Sequence, residues 1–264
     1  MREQGNSGGH PENIYFFATC VVDQFFPGAG MDAITLLERQ GIRVHFPEEQ
    51  TCCGQPAYTS GFPDQARKVA AHQLTLFPSD WPVVVPSGSC AGMMKHHYPT
   101  LFAADPARKA QAEKLSSRVY ELTDFLVNVL DFKPEDLGGD CTVVLHTSCS
   151  ARREMGVHLT GRKLLGDLHK VTVAQQDHES ECCGFGGTFS VKQPEISGAM
   201  VEDKVKALKA TGAERVISAD CGCLMNILGH AAWIDEQAGL AKPSLPGEHI
   251  ASFLLRRTSE GSGK

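Results

Sequence analysis

The cysteines of this 264-residue chain repeat themselves once. Cys20, the vicinal pair Cys52-Cys53 and Cys90 recur, after about 130 residues, as Cys149, Cys182-Cys183 and Cys221. Both pairs are followed by glycine, Gly54 and Gly184, so each half reads as a cysteine, a CCG triplet and a further cysteine at matching spacings. Four offsets agreeing this closely describe an internal duplication, and the chain must therefore fold one unit twice. Cys141 has no counterpart and reads as a plain buried cysteine that opens a strand.

The backbone context repeats as well. IYFFAT precedes Cys20, VVVPSGS precedes Cys90, VVLHTS runs up to Cys149 and RVISAD precedes Cys221. Each is a short β-branched or aromatic segment, then a small polar turn, then cysteine. Helical stripes lie between them: Met31, Ile34 and Leu37 with Gly41 as a stop, Leu122, Phe125, Leu126 and Val129, and Val201, Val205 and Leu208 with Gly212 as a stop. Strands alternating with helices predict an α/β chain of two tandem homologous Rossmann-like halves, each a small parallel sheet flanked by helices. The halves are expected over 13–133 and 139–257, joined through the charged, Pro- and Gly-bearing segment 131–140, with disordered tails over 1–12 and 258–264. Ligands of such sheets bind beyond the carboxyl ends of the strands, where these cysteines fall. Each half is thus expected to gather its own cysteines at its own sheet edge.

Composition narrows the function classes. Hydrophobic residues make up 42% and charged residues 21%, enough to bury a core. The net charge is −6 and Arg and Lys form no run, which argues against a nucleic-acid groove or a polybasic membrane patch. No apolar stretch approaches a membrane span, and the polar, Gly-rich N-terminus does not read as a signal peptide, so a cytoplasmic protein without membrane insertion is expected. Ten cysteines are too dilute for a disulfide scaffold and, in a reducing compartment, point to metal or redox chemistry.

In the second half Cys149, Cys182, Cys183, Cys221 and Cys223 come from three strand ends. A structural zinc site takes four ligands, usually from CxxC-like pairs, and a vicinal pair does not easily span two corners of one tetrahedron. It suits a larger iron–sulfur cluster better, though a zinc site and a metal-free thiol switch stay open. Met93 reads as core filler or a weak thioether ligand. His146 reads as a satisfied strand-end histidine, or as a group that tunes or protonates something at the cluster. His96-His97 reads as packing or solvent exposure, and Gly186-Gly187 as a close turn or an anion-receiving backbone. No GxGxxG follows a strand and no P-loop occurs, so the chain carries no nucleotide or flavin signature.

These motifs resemble a known family. The CCG repeat resembles the cysteine-rich domain found in the B-type chain of heterodisulfide reductase and in the iron–sulfur subunit of glycolate oxidase. The latter also carries ferredoxin-type cysteine runs that are missing here. TCCGQPAYTSG (51–61), PSGSC (86–90), ELTDFLVNVL (121–130), LHTSC (145–149), CCGFGGTFSVK (182–192), MVEDKV (200–205) and ADCGCLMNI (219–227) resemble the lactate utilization protein A family more closely. That resemblance implies an iron–sulfur subunit of an L-lactate oxidising system, contributing electron transfer alongside lactate utilization proteins B and C. It further implies one or two [4Fe–4S] clusters per chain, noncubane in the reductase, with Cys149, Cys182, Cys183, Cys221 and Cys223 as one ligand set. Cys20, Cys52, Cys53 and Cys90 form the other. The chain departs from the reductase pattern, which ends CxxC: the second half ends Cys221-Gly222-Cys223, with Leu224 in the expected place, and the first ends Cys90-Ala91-Gly92-Met93. A heterodisulfide reductase-like thiol/disulfide enzyme and a zinc-binding interaction module are the rival readings.

Overall fold

The computed structural model describes residues 10–259; the tails expected at 1–12 and 258–264 fall largely outside them. Strands and helices alternate along the described residues. β1 (Asn13–Phe16), β2 (Arg43–His45), β3 (Val83–Val85) and β4 (Val119–Glu121) form one sheet in the order β2-β1-β3-β4. β5 (Cys141–His146), β6 (Val171–Ala174), β7 (Arg215–Ser218) and β8 (Gly247–His249) form a second in the order β6-β5-β7-β8. Every pairing is parallel, with Ile14 opposite Val44 in the first sheet and Val144 opposite Val216 in the second. Strands covered on both faces must be apolar throughout, and β3 is Val-Val-Val with every residue buried.

The four edge strands are very short and repeat the duplication in a way the cysteines do not reveal. Glu121 ends β4 and His249 ends β8, at nearly the same offset as the cysteines, and both are fully buried caps. The Glu121 carboxylate accepts from the Thr123 and Asp124 N–H groups. His249 Nδ1 accepts from the Ala251 N–H, while Nε2 faces the carbonyls of Pro86 and Ala219 at 3.1 and 3.2 Å. Those partners place the histidine proton on Nε2.

The two sheets share one core. Ile14, Phe16, Leu36, Leu37 and Leu126 from the first half pack with Val143, Leu145, Leu164, Ile217, Phe253 and Leu254 from the second. The packing is reciprocal: the helix after β1 (Pro27–Glu38) lies on the helix after β8 (Ile250–Arg257), and the helix after β5 (Val157–Gly166) lies on the segment after β4. Met31 does not join this core and is exposed. The buried face of its helix is Ala29, Gly30, Ala33, Leu36 and Leu37, whose small members let the neighbouring helices approach. Val201, Val205 and Leu208 do line a core, and Gly212 ends their helix at φ 66°.

Segment 131–140 has no regular secondary structure, yet it is tied down. Asp136 is buried and pairs with the equally buried Arg257 at 2.5 Å, and it accepts from the Lys170 N–H at 2.9 Å. Arg257 also donates to the Gly139 carbonyl at 2.6 Å. Removing one member of such a pair strands the other in a low-dielectric site. Arg257→Met is expected to lower stability by about 3 kcal/mol, read as a fall in melting temperature of roughly 6–12 °C. A fall within a degree or two would show that the pair does not hold the junction.

Candidate metal centre

The carboxyl ends of both sheets open into one cleft of about 390 Å³. Cys20, Cys52, Cys53, Cys90, Cys149, Cys182, Cys183, Cys221 and Cys223 all line it. The separate sheet edges expected from the sequence are therefore two walls of a single cavity, because the halves face each other across it. Ser60 Oγ and Thr188 Oγ1 meet at 2.5 Å across the halves, and Gln55 reaches Ser150 at 3.5 Å. Cys141 lies outside the cleft lining, at the opposite end of β5, beside Arg257.

Within the cleft the thiols form two chains. In the first, Cys52 is hydrogen-bonded to Cys20 and Cys53, and Cys53 also reaches Cys90. In the second, Cys182 is hydrogen-bonded to Cys149 and Cys183, and Cys183 also reaches Cys223. The repeat positions the central thiol identically. Gly54 and Gly184 have left-handed φ of 88° and 84°, which turns their N–H groups onto the preceding sulfurs, at 3.4 Å to Cys52 and 3.3 Å to Cys182. At Gly184 a Cβ would also stand 2.7 Å from the Ser197 carbonyl oxygen. Tyr98 donates to the Cys53 carbonyl at 2.9 Å, and Asn226, close to its counterpart position in the second half, donates to the Cys183 carbonyl at 2.7 Å. Sequence reasoning missed this second repeat because the two side chains differ in type.

These contacts set the charges. The thiol of Cys20, with that of Cys53, donates to Cys52 and holds its pKa down at about 3; Cys149 and Cys183 hold Cys182 down at about 2. The same bonds, with burial, push Cys20, Cys53, Cys149 and Cys183 well up. Each chain thus holds one thiolate beside two thiols that resist ionisation, Cys20 and Cys53 in the first and Cys149 and Cys183 in the second. Thiolates in this number are the donor set of soft metal sites and iron–sulfur clusters, so the residues fit such a group.

Cys221 lines the cleft with the others but has distinct neighbours. It packs on Val22 and Ala29 of the first half, and burial is the main reason its pKa is pushed up. Cys223, two positions on, takes the place beside Cys183 that Cys90 takes beside Cys53. A helix starts at Cys221, and each helical position turns by about 100° from the last, so 221 and 223 point to nearly opposite sides.

The walls are not equivalent. Met93 is fully buried in the first core and also lines the cleft. His146, at the end of β5, is fully buried with neither ring nitrogen hydrogen-bonded, so it is not the satisfied histidine expected. Burial holds its pKa down at about 3 and keeps the ring neutral. Lys204 is buried near Cys182 and Cys183 and donates to the His178 carbonyl at 2.6 Å. Arg152 and Arg162 clamp Glu179, just before the second CCG, at 2.9 and 2.6 Å. His96 meets the Glu154 carbonyl at 3.0 Å. His97 faces the Glu154 carboxylate at 3.4 Å across the halves, a role its sequence context did not suggest. Gly186-Gly187 forms a turn packed on Phe189 and Pro56.

In the cleft lining itself, Asp220 Oδ1 accepts from Ser87 Oγ, Ser89 Oγ and the Ser89 N–H at 2.8, 2.7 and 3.1 Å, joining the two walls. Ser89 and Asp220 each immediately precede a repeated cysteine, so the junction binds one repeat position to its own counterpart.

Comparison with known proteins agrees with this architecture. A cysteine-rich domain family, CCG, matches twice, over residues 14–95 and 143–228. Lactate utilization protein A of Shouchella clausii is 48% identical over 92% of this chain and 98% of its own length. Lactate utilization protein A of Bacillus subtilis is 47% identical over 92% and 99%. A crystal structure of a hypothetical protein from Helicobacter pylori superposes with a TM-score of 0.66 over 95% of this chain at 12% identity, a likeness of fold. The chain spans half of that protein.

Glu121 provides a test of the buried junction. Burial pushes its carboxyl pKa up from the ordinary 4.5 to about 8, against the Thr123 and Asp124 hydrogen bonds, with the Asp220 charge adding to the rise. Between those values the folded state holds a proton that the unfolded state has lost, so Glu121 makes stability fall as pH rises from about 4.5 to about 8. Glu121→Gln, which cannot ionise, is expected to raise the melting temperature relative to wild type more at pH 8 than at pH 5. An equal difference at both pH values would contradict a protonated Glu121.

Proposed function

This chain belongs to the lactate utilization protein A family, and we propose that it serves lactate utilization as the iron–sulfur, electron-transferring subunit of an L-lactate oxidising system. The observation that carries the reading is the convergence of nine cysteines from both repeats on one cleft. Cys20, Cys52, Cys53 and Cys90 would hold one cluster. Cys149, Cys182, Cys183, Cys221 and Cys223 would hold another. A [4Fe–4S] cluster, of cubane or noncubane form, supplies one-electron redox chemistry when bound.

The chain's own residues do the rest. The Gly54 and Gly184 N–H groups donate to sulfur, which stabilises thiolate. Lys204 places a buried cation by the second group, and Asp220 ties the two walls together. The relatives' name implies further proteins, and we assign that role to lactate utilization proteins B and C acting with this chain in the cytoplasm. Among the described residues no helix is long and apolar enough to cross a membrane.

A second reading, a thiol/disulfide redox subunit, draws on the low pKa of Cys52 and Cys182, since thiolates are the nucleophiles of disulfide exchange. A zinc-binding interaction module is the third, and metal analysis separates it from the first.

The anaerobically prepared chain is expected to be brown, with iron and labile sulfide near one to one, and to oxidise L-lactate with artificial acceptors only when proteins B and C are added. Cys183→Ser is expected to remove more iron than Cys53→Ser, because the second wall carries the larger donor set. Cys141→Ser is expected to remove none. Stoichiometric zinc without sulfide would contradict the cluster reading, and pyruvate formation by the chain alone would contradict the electron-transfer role.

A further inference from the structure

We propose that His146 is a nitrogen ligand of the metal centre in the second wall, acting with Cys183 and Cys223. A ring nitrogen of His146 and the sulfurs of Cys183 and Cys223 lie within 4.8 Å of one another, and all three residues are buried. Ligand atoms of one tetrahedral ion stand roughly 3.3–3.8 Å apart, given metal–ligand bonds of about 2.0–2.3 Å. Closing the triad onto an ion thus asks for movements of about an ångström or less.

Nothing else in the fold accounts for the imidazole. Neither nitrogen of His146 has a hydrogen-bond partner, and a buried polar group left unpaired is destabilising. Lys204, the cation whose charge acts on the ring, spends its own hydrogen bond on the His178 carbonyl. Cys182 and Glu179 are the negative groups whose charges reach it. The duplication supplies an internal comparison. Phe17 occupies the corresponding place in the first half, three positions before Cys20, and is fully buried in the core of its own half. One copy of the unit keeps a hydrophobe there and the other keeps an unpaired imidazole beside two thiols.

The inference rests on the cleft holding a metal and does not depend on lactate as substrate. The test is titration of Co²⁺ into the full chain, stripped of metal under anaerobic conditions, followed by X-ray absorption at the cobalt edge. Wild type is expected to bind Co²⁺ with mixed sulfur and nitrogen ligation and an imidazole scattering signature. His146→Phe, the residue used by the first half, and His146→Gln are each expected to weaken the tightest site ten-fold or more. Both variants should lose that signature and retain a cooperative melt. Unchanged affinity and scattering in either variant overturns the assignment. So does wild-type protein without imidazole scattering, whatever the variants do. Iron and sulfide counted before stripping report separately on the cluster reading: no labile sulfide with histidine-ligated Co²⁺ removes that reading and keeps this one.

Discussion

The hydrogen bonds between thiols are the interaction on which the site depends. Cys52 and Cys182 ionise easily chiefly because two further thiols donate to each, with a glycine N–H adding to the effect, and those thiols are held up as a result. Each wall therefore carries one thiolate among partly buried sulfurs. A further deprotonation meets both desolvation and a like charge. A bound cation reverses that balance and displaces the remaining protons, so binding by either wall is coupled to proton release. The backbone is arranged around this chain: a left-handed glycine follows each vicinal pair, and Tyr98 or Asn226 grips the carbonyl of its second cysteine.

Much of the architecture was legible in the sequence. The repeated cysteine spacing and the apolar segments before each cysteine are enough to predict two parallel sheets with thiols at their carboxyl ends. The edge strands are too short to show a period, and only their buried end residues, Glu121 and His249, betray the repeat. What the sequence could not show is how the halves face each other. That arrangement depends on reciprocal helix packing between distant segments, such as Pro27–Glu38 on Ile250–Arg257. It turns two expected sites into one cleft. It also turns Cys221 toward Val22 and Ala29 and leaves Cys223 beside Cys183.

The two walls have diverged in kind. The first buries Phe17 and Met93 in its own core, with Met93 also lining the cleft. The second buries an unpaired His146 and Lys204 behind its thiols, and the Arg152–Glu179–Arg162 clamp lies just before its vicinal pair in sequence.

The most direct measurement of the central claim is anomalous diffraction at the iron edge from crystals of the anaerobically prepared chain. The account predicts iron at the thiol groups of both walls of the one cleft, beside Cys52-Cys53 and beside Cys182-Cys183. Iron peaks elsewhere in the molecule, or a cleft in which only zinc scatters, would contradict it.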